Sequence, residues 1–463
     1  MGDQDDKERP DVGASHVEFT DSIIYDYHGD IEVIRAGSLV ALVQNLTRHD
    51  KLDASFNRTF LTTYKYFTSG TELLRLLLER FDCPPPVTLS PTQAAEWSDQ
   101  RQVLVRVRVM NVLKQWLESF WAETKGPETH ENLLRLQSFA YDAAATQTGA
   151  GHHLVELIQH RLAGVERLKR SQPSISNPPK PILPRKLNKL QFLKIDAREI
   201  ARQLTLMEWS MFGKLQPEEL LHKTWQRKER PNAPPRAPNV RALIQYSNQL
   251  SSWVGALILA ESDLKKRTQV IGHLVNVANE CHELRNFSAM VSILSGLQST
   301  PVYRLARTWA MVTERSCNIL KPLQVTISSG QNYQVYRDAL RLSVAPCIPF
   351  LGLFLKDLVF IEDGNPALTP EGLINFAKYS MVASIIHEVQ RFQAAPYCLH
   401  PVPELQEYLA TQLQSAGELD EMWDRSCELE PRGRGDENRS RDTYTATGGM
   451  TTAMVVACMV LDD

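Results

Sequence analysis

Apolar residues recur three and four apart through most of this chain, and the alternation that marks a half-buried strand is nearly absent. Such a chain must bury its apolar stripes by packing helix on helix. Leu39, Leu42, Val43 and Leu46 share one helical face, and Leu73, Leu74, Leu77 and Phe81 share another. A third helix is expected over about 101–121, with Leu113, Trp116, Leu117 and Phe120 inward, and a fourth over about 154–167. Four prolines make Cys83–Pro91 a loop. The strand candidates are short: 22–34 and 323–328.

Composition changes between Ser171 and Lys186, where five prolines crowd together. This stretch reads as a stiff, polyproline-prone linker and sets the main domain boundary. Within it, Pro181–Lys186 is a PxxP followed by basic residues, a ligand pattern for SH3 domains as well as a plain spacer. Helix signals are dense beyond the linker. Asp196 and Glu199 have capping-box spacing before Ile200, Leu204, Met207 and Met211. Pro217-Glu-Glu opens another helix. Further helices follow over 241–259, along Val270, Leu274, Ala278 and Cys281, and from a cap at Asn286. A long one is expected to start at Thr369-Pro370-Glu371 and end before Pro396. After about Gln414 the chain turns polar.

The reading is an all-α chain of two helical domains. Its divisions are 1–18 disordered, 19–168 the N-terminal domain, 169–190 the linker, 191–415 the second domain and 416–463 a mostly disordered tail. A length of 463 residues suits two to three domains. The net charge of −3 gives no global field for nucleic acid or anionic lipid, and basic strips interleaved with aromatics are missing. The acidic, polar start lacks the apolar core of a signal peptide. No apolar run reaches the ~20 residues that span a bilayer. Seven scattered cysteines with no CxxC pair read as thiols in a reducing compartment, neither a zinc site nor a disulfide frame.

Motifs for covalent chemistry are absent. Gly213-Lys214 lacks the flanking residues of a phosphate-binding loop, and no GxGxxG, HExxH or GxSxG occurs. His282-Glu283 and His387-Glu388 each lack a second histidine. A large helical chain without such motifs points to binding, with no cofactor and no metal expected.

Several segments together resemble one family. Ile200-Ala-Arg-Gln-Leu-Thr-Leu-Met-Glu208, Asn286-Phe287 with Ser299-Thr-Pro-Val-Tyr-Arg-Leu305, Pro346-Cys-Ile-Pro-Phe-Leu-Gly352 running on through Lys356–Pro366, and Ile374-Asn-Phe-Ala-Lys378 follow in the order and spacing of the Ras guanine-nucleotide exchange factors of the Son-of-sevenless type. Residues 33–165, with Thr59–Tyr64, resemble that family's N-terminal Ras-exchanger motif domain. The resemblance covers about three-quarters of the chain.

The resemblance implies an exchange factor for a Ras-type small GTPase that acts without covalent chemistry, in the cytoplasm, reaching the membrane only through the GTPase. The alternatives are an exchanger for a Rap-type GTPase, or a non-catalytic GTPase-binding scaffold or adaptor. The implied working element is a helical hairpin: 350–361, a turn over Glu362–Pro366, and 369–393. Val359 sits where the family sets an apolar residue against magnesium. Asp363 sits where it aims an acid at the phosphate-binding lysine, with Glu362 and Asn365 at the same tip. Ile244, Val291, Leu294, Tyr333 and Phe350 match an apolar pocket for the GTPase's second switch region, with Asn248 and Ser295 beside it. Gln245 and Trp225 match further interface positions. Taken without the resemblance, Phe350, Val291 and Leu294 read as core, and the Glu362–Pro366 string as a solvated turn. Val359 and Asp363 are each about one carbon shorter than the Leu and Glu often found in the family, and Gln245 replaces an Arg of some members.

Overall fold

The computed structural model describes residues 22–431, except residue 30 and residues 86–88, 124–125, 147–149, 165–176, 229–234 and 416–418. The chain forms two compact units. One is Met1–Leu168 together with Asn365–Met381; the other is Lys169–Gly364 together with Val382–Asp463. Residues 1–18 and 432–463, including the apolar stretch near the C-terminus, lie outside the described residues.

The first unit opens with an antiparallel pair, β1 (Ile23–His28) and β2 (Ile31–Gly37), whose register slips by one residue between Ile24 and Tyr25. This pair matches the strand candidate at 22–34. The helices are α1 (Leu39–Leu46), α2 (Ala54–Thr63), α3 (Gly70–Phe81), α4 (Pro91–Trp97), α5 (Val103–Ser119), α6 (Pro127–Thr146) and α7 (Ala150–Leu162). Side chains of Ser38, Asp53, Ser69 and Ser90 cap the first four, each accepting a backbone N–H of the first turn. The loop after Cys83 therefore closes at Ser90, and Pro91 begins a helix. The fourth expected helix is α7, beginning at Ala150 and ending at Leu162. Helices α2 and α6 gave no clear signal in the sequence. The inward face of α6 includes Ala140 and Ala143 beside Leu133 and Leu136, a weak apolar stripe.

Residues 365–381 share the core of this unit. Gly37 and Ile374 exchange backbone hydrogen bonds at 3.1 and 2.9 Å. The Phe376 ring lies 4.8 Å from Phe56, and Tyr379 lies 5.0 Å from Tyr66. Ile374, Phe376 and Tyr379 are all buried in the same cluster as Phe60 and Leu73. The helix expected from Thr369 is delayed to Phe376 for a local reason. Gly372 takes φ 80°, which favours glycine, and Thr369 donates to Leu373 O at 2.8 Å. Together they make a tight turn where a helix was read.

The second unit begins with the described linker residues and continues through α8 (Ala197–Phe212), α9 (Pro238–Ala260), α10 (Leu264–Glu283), α11 (Phe287–Gln298), α12 (Thr300–Tyr303), α13 (Ala306–Ala310), α14 (Glu314–Thr326), α15 (Gln334–Leu342), α16 (Leu351–Gly364), the second half of α17 (Phe376–Phe392), α18 (Pro403–Gln414) and α19 (Leu419–Leu429). Pro217–Leu220 is only a short 3-10 turn, stopped by the extended backbone of Leu221. The strand candidate at 323–328 falls largely within α14, because Leu320 and Leu323 are buried three residues apart, a helical spacing.

Two polar side chains overturn sequence readings. Asp196 caps α8, but Glu199 does not complete a capping box. Its fully buried carboxylate accepts from Ile182 N at 2.9 Å, Gln203 Nε2 at 2.7 Å and Arg202 at 3.1 Å, so it pins the linker to the helix. Glu430 has the same kind of role at the other end. It accepts from Arg307 N, Thr308 N and Thr308 Oγ1 at 2.9, 2.9 and 2.7 Å, which seats α19 inside the unit. The folded part of this unit thus runs past 415 into the expected tail. A polar-looking segment is ordered because its few apolar and polar anchors, among them Met422 and Ser426, are all buried.

Helices α9 and α11 approach closely at Gly296. A Cβ there would stand 2.5 Å from Ser251 O and 2.6 Å from Val254 Cβ. Gly296→Val is expected to destabilise the protein by about 3 kcal/mol or more, since two helix backbones cannot move apart without breaking the packing around them. Chemical denaturation would measure this, and an unchanged midpoint would contradict it.

Candidate functional site

Helix α16 is held rigidly on its inner side. Leu351, Leu353, Phe354, Leu355 and Leu358 are buried. Phe350 N donates to the buried Tyr336 hydroxyl at 2.7 Å. Arg337 of α15 grips Asp357 with both guanidinium nitrogens, at 2.7 and 2.9 Å. Just upstream, Ile348 pairs with the start of α11: Ser288 N donates to Ile348 O at 3.2 Å, and Ile348 N donates to Arg285 O at 3.0 Å.

The outer side carries Val359, Phe360, Glu362 and Asp363. Val359 and Glu362 are half-buried, while Phe360 is 63% exposed. Phe360 had no place in the sequence reading; its neighbours Val359 and Asp363 were chosen by resemblance alone. Glu362 and Asp363 fall within the last turn of α16 rather than in the turn beyond it, because the helix runs on to Gly364. Two acids at a helix C-terminus oppose the dipole, and that turn has no basic residue of its own. Lys223 supplies the missing cation: its Nζ lies 2.6 Å from Asp363 Oδ1. Lys223 and His222 both have positive φ, 49° and 55°, so the ammonium is presented by a strained loop. Asn365 belongs to the first unit, where its carbonyl accepts from Lys378 Nζ at 2.6 Å.

The remaining predicted residues separate into two groups. Ile244, Gln245 and Asn248 lie on the outer face of α9. They line a cleft of about 450 Å³ together with Arg241, Ser252 and Leu413. Val291, Leu294, Ser295 and Trp225 are buried, Leu294 and Trp225 almost completely. These four therefore belong to the core rather than to the surface. Tyr333 is also nearly buried. It follows two residues of positive φ, Gln331 and Asn332, and itself has φ 61°. The Lys356 ammonium sits 5.7 Å from its ring centre and 5.5 Å from that of Phe360. Phe350 remains half-buried.

Behind this surface stands Glu208, fully buried on α8. Loss of water pushes its pKa up to about 7, and hydrogen bonds with Ser288 and Asn286 offset part of that rise. Asn286 also caps α11 and donates to Thr205 Oγ1 at 3.2 Å. Among the described residues no cluster of His, Cys, Asp and Glu could hold a metal ion, and no helix is long and apolar enough to cross a membrane.

The RasGEF domain family model matches residues 199–380, and the RasGEF N-terminal motif matches residues 33–139. The chain belongs to the Ras guanine-nucleotide exchange factor family. The RasGEF match begins at the buried Glu199 and takes in α9, α11, α15 and α16. Curated relatives agree. Cell division control protein 25 of Candida albicans is 34% identical over 417 residues, which is 89% of this chain and 31% of that protein. Ras guanine nucleotide exchange factor J of Dictyostelium discoideum is 32% identical over 412 residues, 87% of this chain and 48% of that protein. Protein son of sevenless of Drosophila melanogaster is 28% identical over 438 residues, 87% of this chain and 27% of that protein. The chain spans less than half the length of each of these three.

Proposed function

We propose that the protein catalyses release of GDP from a Ras-type small GTPase, with α16 and α17 as the two arms of a wedge. The observation that carries the reading is the outer row of α16. An apolar Val359 and a carboxylate at Asp363 stand one helical turn apart on a helix clamped by the Arg337–Asp357 pair. A bound magnesium ion needs oxygen ligands, and the nucleotide's phosphates need cationic partners. Val359 offers the ion no ligand. Asp363 offers the GTPase's phosphate-binding cation a substitute charge. A picomolar GTPase–nucleotide complex represents ~16 kcal/mol, and no single contact cancels that. The exchanger instead binds the empty GTPase, and by linkage each ligand weakens the other. Cellular GTP then sets the direction.

The α9 cleft, with Ile244, Gln245 and Asn248, is the proposed seat for the GTPase's second switch region. Phe350 and Tyr333 are proposed as further apolar contacts for that region, although neither lines the cleft, and Val291, Leu294, Ser295 and Trp225 are buried and would act only through packing. Glu362 and Asn365 complete the wedge tip. Ras is preferred to Rap as the substrate because the relatives' names point to Ras. The site of action is the cytoplasmic face of a membrane carrying the GTPase.

Release of fluorescent GDP from purified Ras and from Rap, with the full chain added, tests the reading. Acceleration on Ras supports it. Acceleration on Rap alone would reassign the substrate. Tight binding without release would make the protein a scaffold, and no effect on either GTPase would sink the proposal. An SH3 domain at Pro181–Lys186 is the alternative partner reading of that segment, and a pull-down with Pro184→Ala as control tests it.

A further inference from the structure

Residues 177–195 contain five cations, Lys180, Arg185, Lys186, Lys189 and Lys194, and no acid. In a chain of net charge −3 this is a strong local excess. All five are exposed. Between them Ile182, Leu183 and Leu193 are 39%, 50% and 40% exposed. The stretch is not a loose tether. Glu199 accepts the Ile182 N–H, Arg202 donates to Lys180 O at 3.2 Å, and Phe192 is buried with its ring 5.5 Å from Trp253. The backbone is thus fixed on the second unit, and its cations and aliphatic chains point outward from a held strip.

We propose that residues 180–194 are a docking surface for an anionic lipid membrane. Charge complementarity is the first reason: clusters of four or more Lys and Arg are drawn to the negative cytoplasmic leaflet, each adding to the attraction. The interleaved aliphatics are the second. Ile182, Leu183 and Leu193 would enter the headgroup boundary, where hydrocarbon is accepted, whereas a nucleic-acid backbone would leave them in water. The ring that could have stacked on a base, Phe192, is turned inward. An SH3 domain is the weaker occupant. Pro181 and Pro184 are half-buried, and the Ile182 amide is already used by Glu199. A direct membrane contact would let the protein meet a lipid-anchored partner by diffusion in two dimensions. It stands independently of whether exchange occurs.

The experiment is co-sedimentation of the full chain with vesicles of pure phosphatidylcholine and with vesicles of equal parts phosphatidylcholine and phosphatidylserine. Binding is expected to the mixed vesicles only, and to fall steeply with salt. Reversing three charges together (Arg185→Glu, Lys186→Glu, Lys189→Glu) is expected to weaken it about a hundredfold or more. Leu183→Ser alone should weaken it roughly tenfold. These side chains are on the surface, so the thermal midpoint should not move. Equal binding to both vesicle types, binding unaffected by the triple substitution, or capture by SH3 domains without any vesicle binding would each overturn the proposal.

Discussion

Replacing Asp363 by Ala is expected to lower the maximal rate of GDP release about 10- to 100-fold while leaving affinity for the nucleotide-free GTPase nearly unchanged. The range corresponds to the ~1.5–3 kcal/mol contributed by a hydrogen bond to a charged group. The carboxylate lies at the exposed end of a helix whose inner side is locked by Tyr336 and Arg337, so its loss should not disturb the fold. One side effect must be separated. Asp363→Ala also releases Lys223 from its 2.6 Å contact. Lys223→Gln removes the same ion pair but keeps the acid. Exposed pairs of this kind contribute roughly 0.2–1 kcal/mol, so Lys223→Gln should change release by no more than about fivefold. If the two variants lose activity equally, the acid matters only as a partner for Lys223, and the proposed role for Asp363 fails. A Phe350→Ala variant should behave in the opposite way, losing binding first, because Phe350 is a proposed contact for the second switch region rather than part of the tip.

The second large effect concerns stability. Glu208 is fully buried, and its pKa rises from 4.5 to about 7 because burial penalises the charged form. The fold therefore favours the protonated acid. The stability it contributes is fully present below about pH 4.5 and is lost as pH rises through about 7. Across that window the loss should amount to ~3 kcal/mol. Glu208→Gln keeps the shape and removes the titration. Its stability should match wild type near pH 5 and exceed it near pH 8. Urea midpoints of the two proteins, measured from pH 5 to 8, check this directly. Parallel curves would mean that Glu208 finds a cation or water that holds its charge. The residue sits where α8 meets the start of α11, beside Asn286 and Ser288, and Ser288 N donates to Ile348 O just upstream of α16. A change of charge at Glu208 would therefore be felt first in the support of that helix.

Much of the helical framework was legible in the sequence for a simple reason. Helix faces that bury Leu, Val and Ile at three and four spacing leave a visible stripe, as in α1, α3, α10 and α11. Caps such as Ser38, Ser69 and Asn286 then fix the starts. Helix α6 escaped because part of its stripe is alanine, and α19 because its charged outer face dominates its composition. Thr369–Ile374 carried a good helix-start signal but was overridden. The tight turn at Gly372 and the backbone pairing of Ile374 with Gly37, more than 300 residues away in sequence, keep it out of a helix.

For the site, the residues alone determined a mainly helical chain without covalent-chemistry motifs, and the order of the motifs pointed to the family that the comparisons then established. They could not say which apolar side chains are core and which are surface. Leu294 and Ile244 look alike in sequence. Packing places the first out of all contact with solvent and the second on the wall of a cleft. Nor could they reveal that Glu199 holds the linker, that Lys223 reaches Asp363, or that residues 365–381 pack into the first unit's core. Each of these joins residues far apart in the chain. Local periodicity is decided by neighbours three and four away, while burial and pairing are decided by whichever distant segment arrives to cover them.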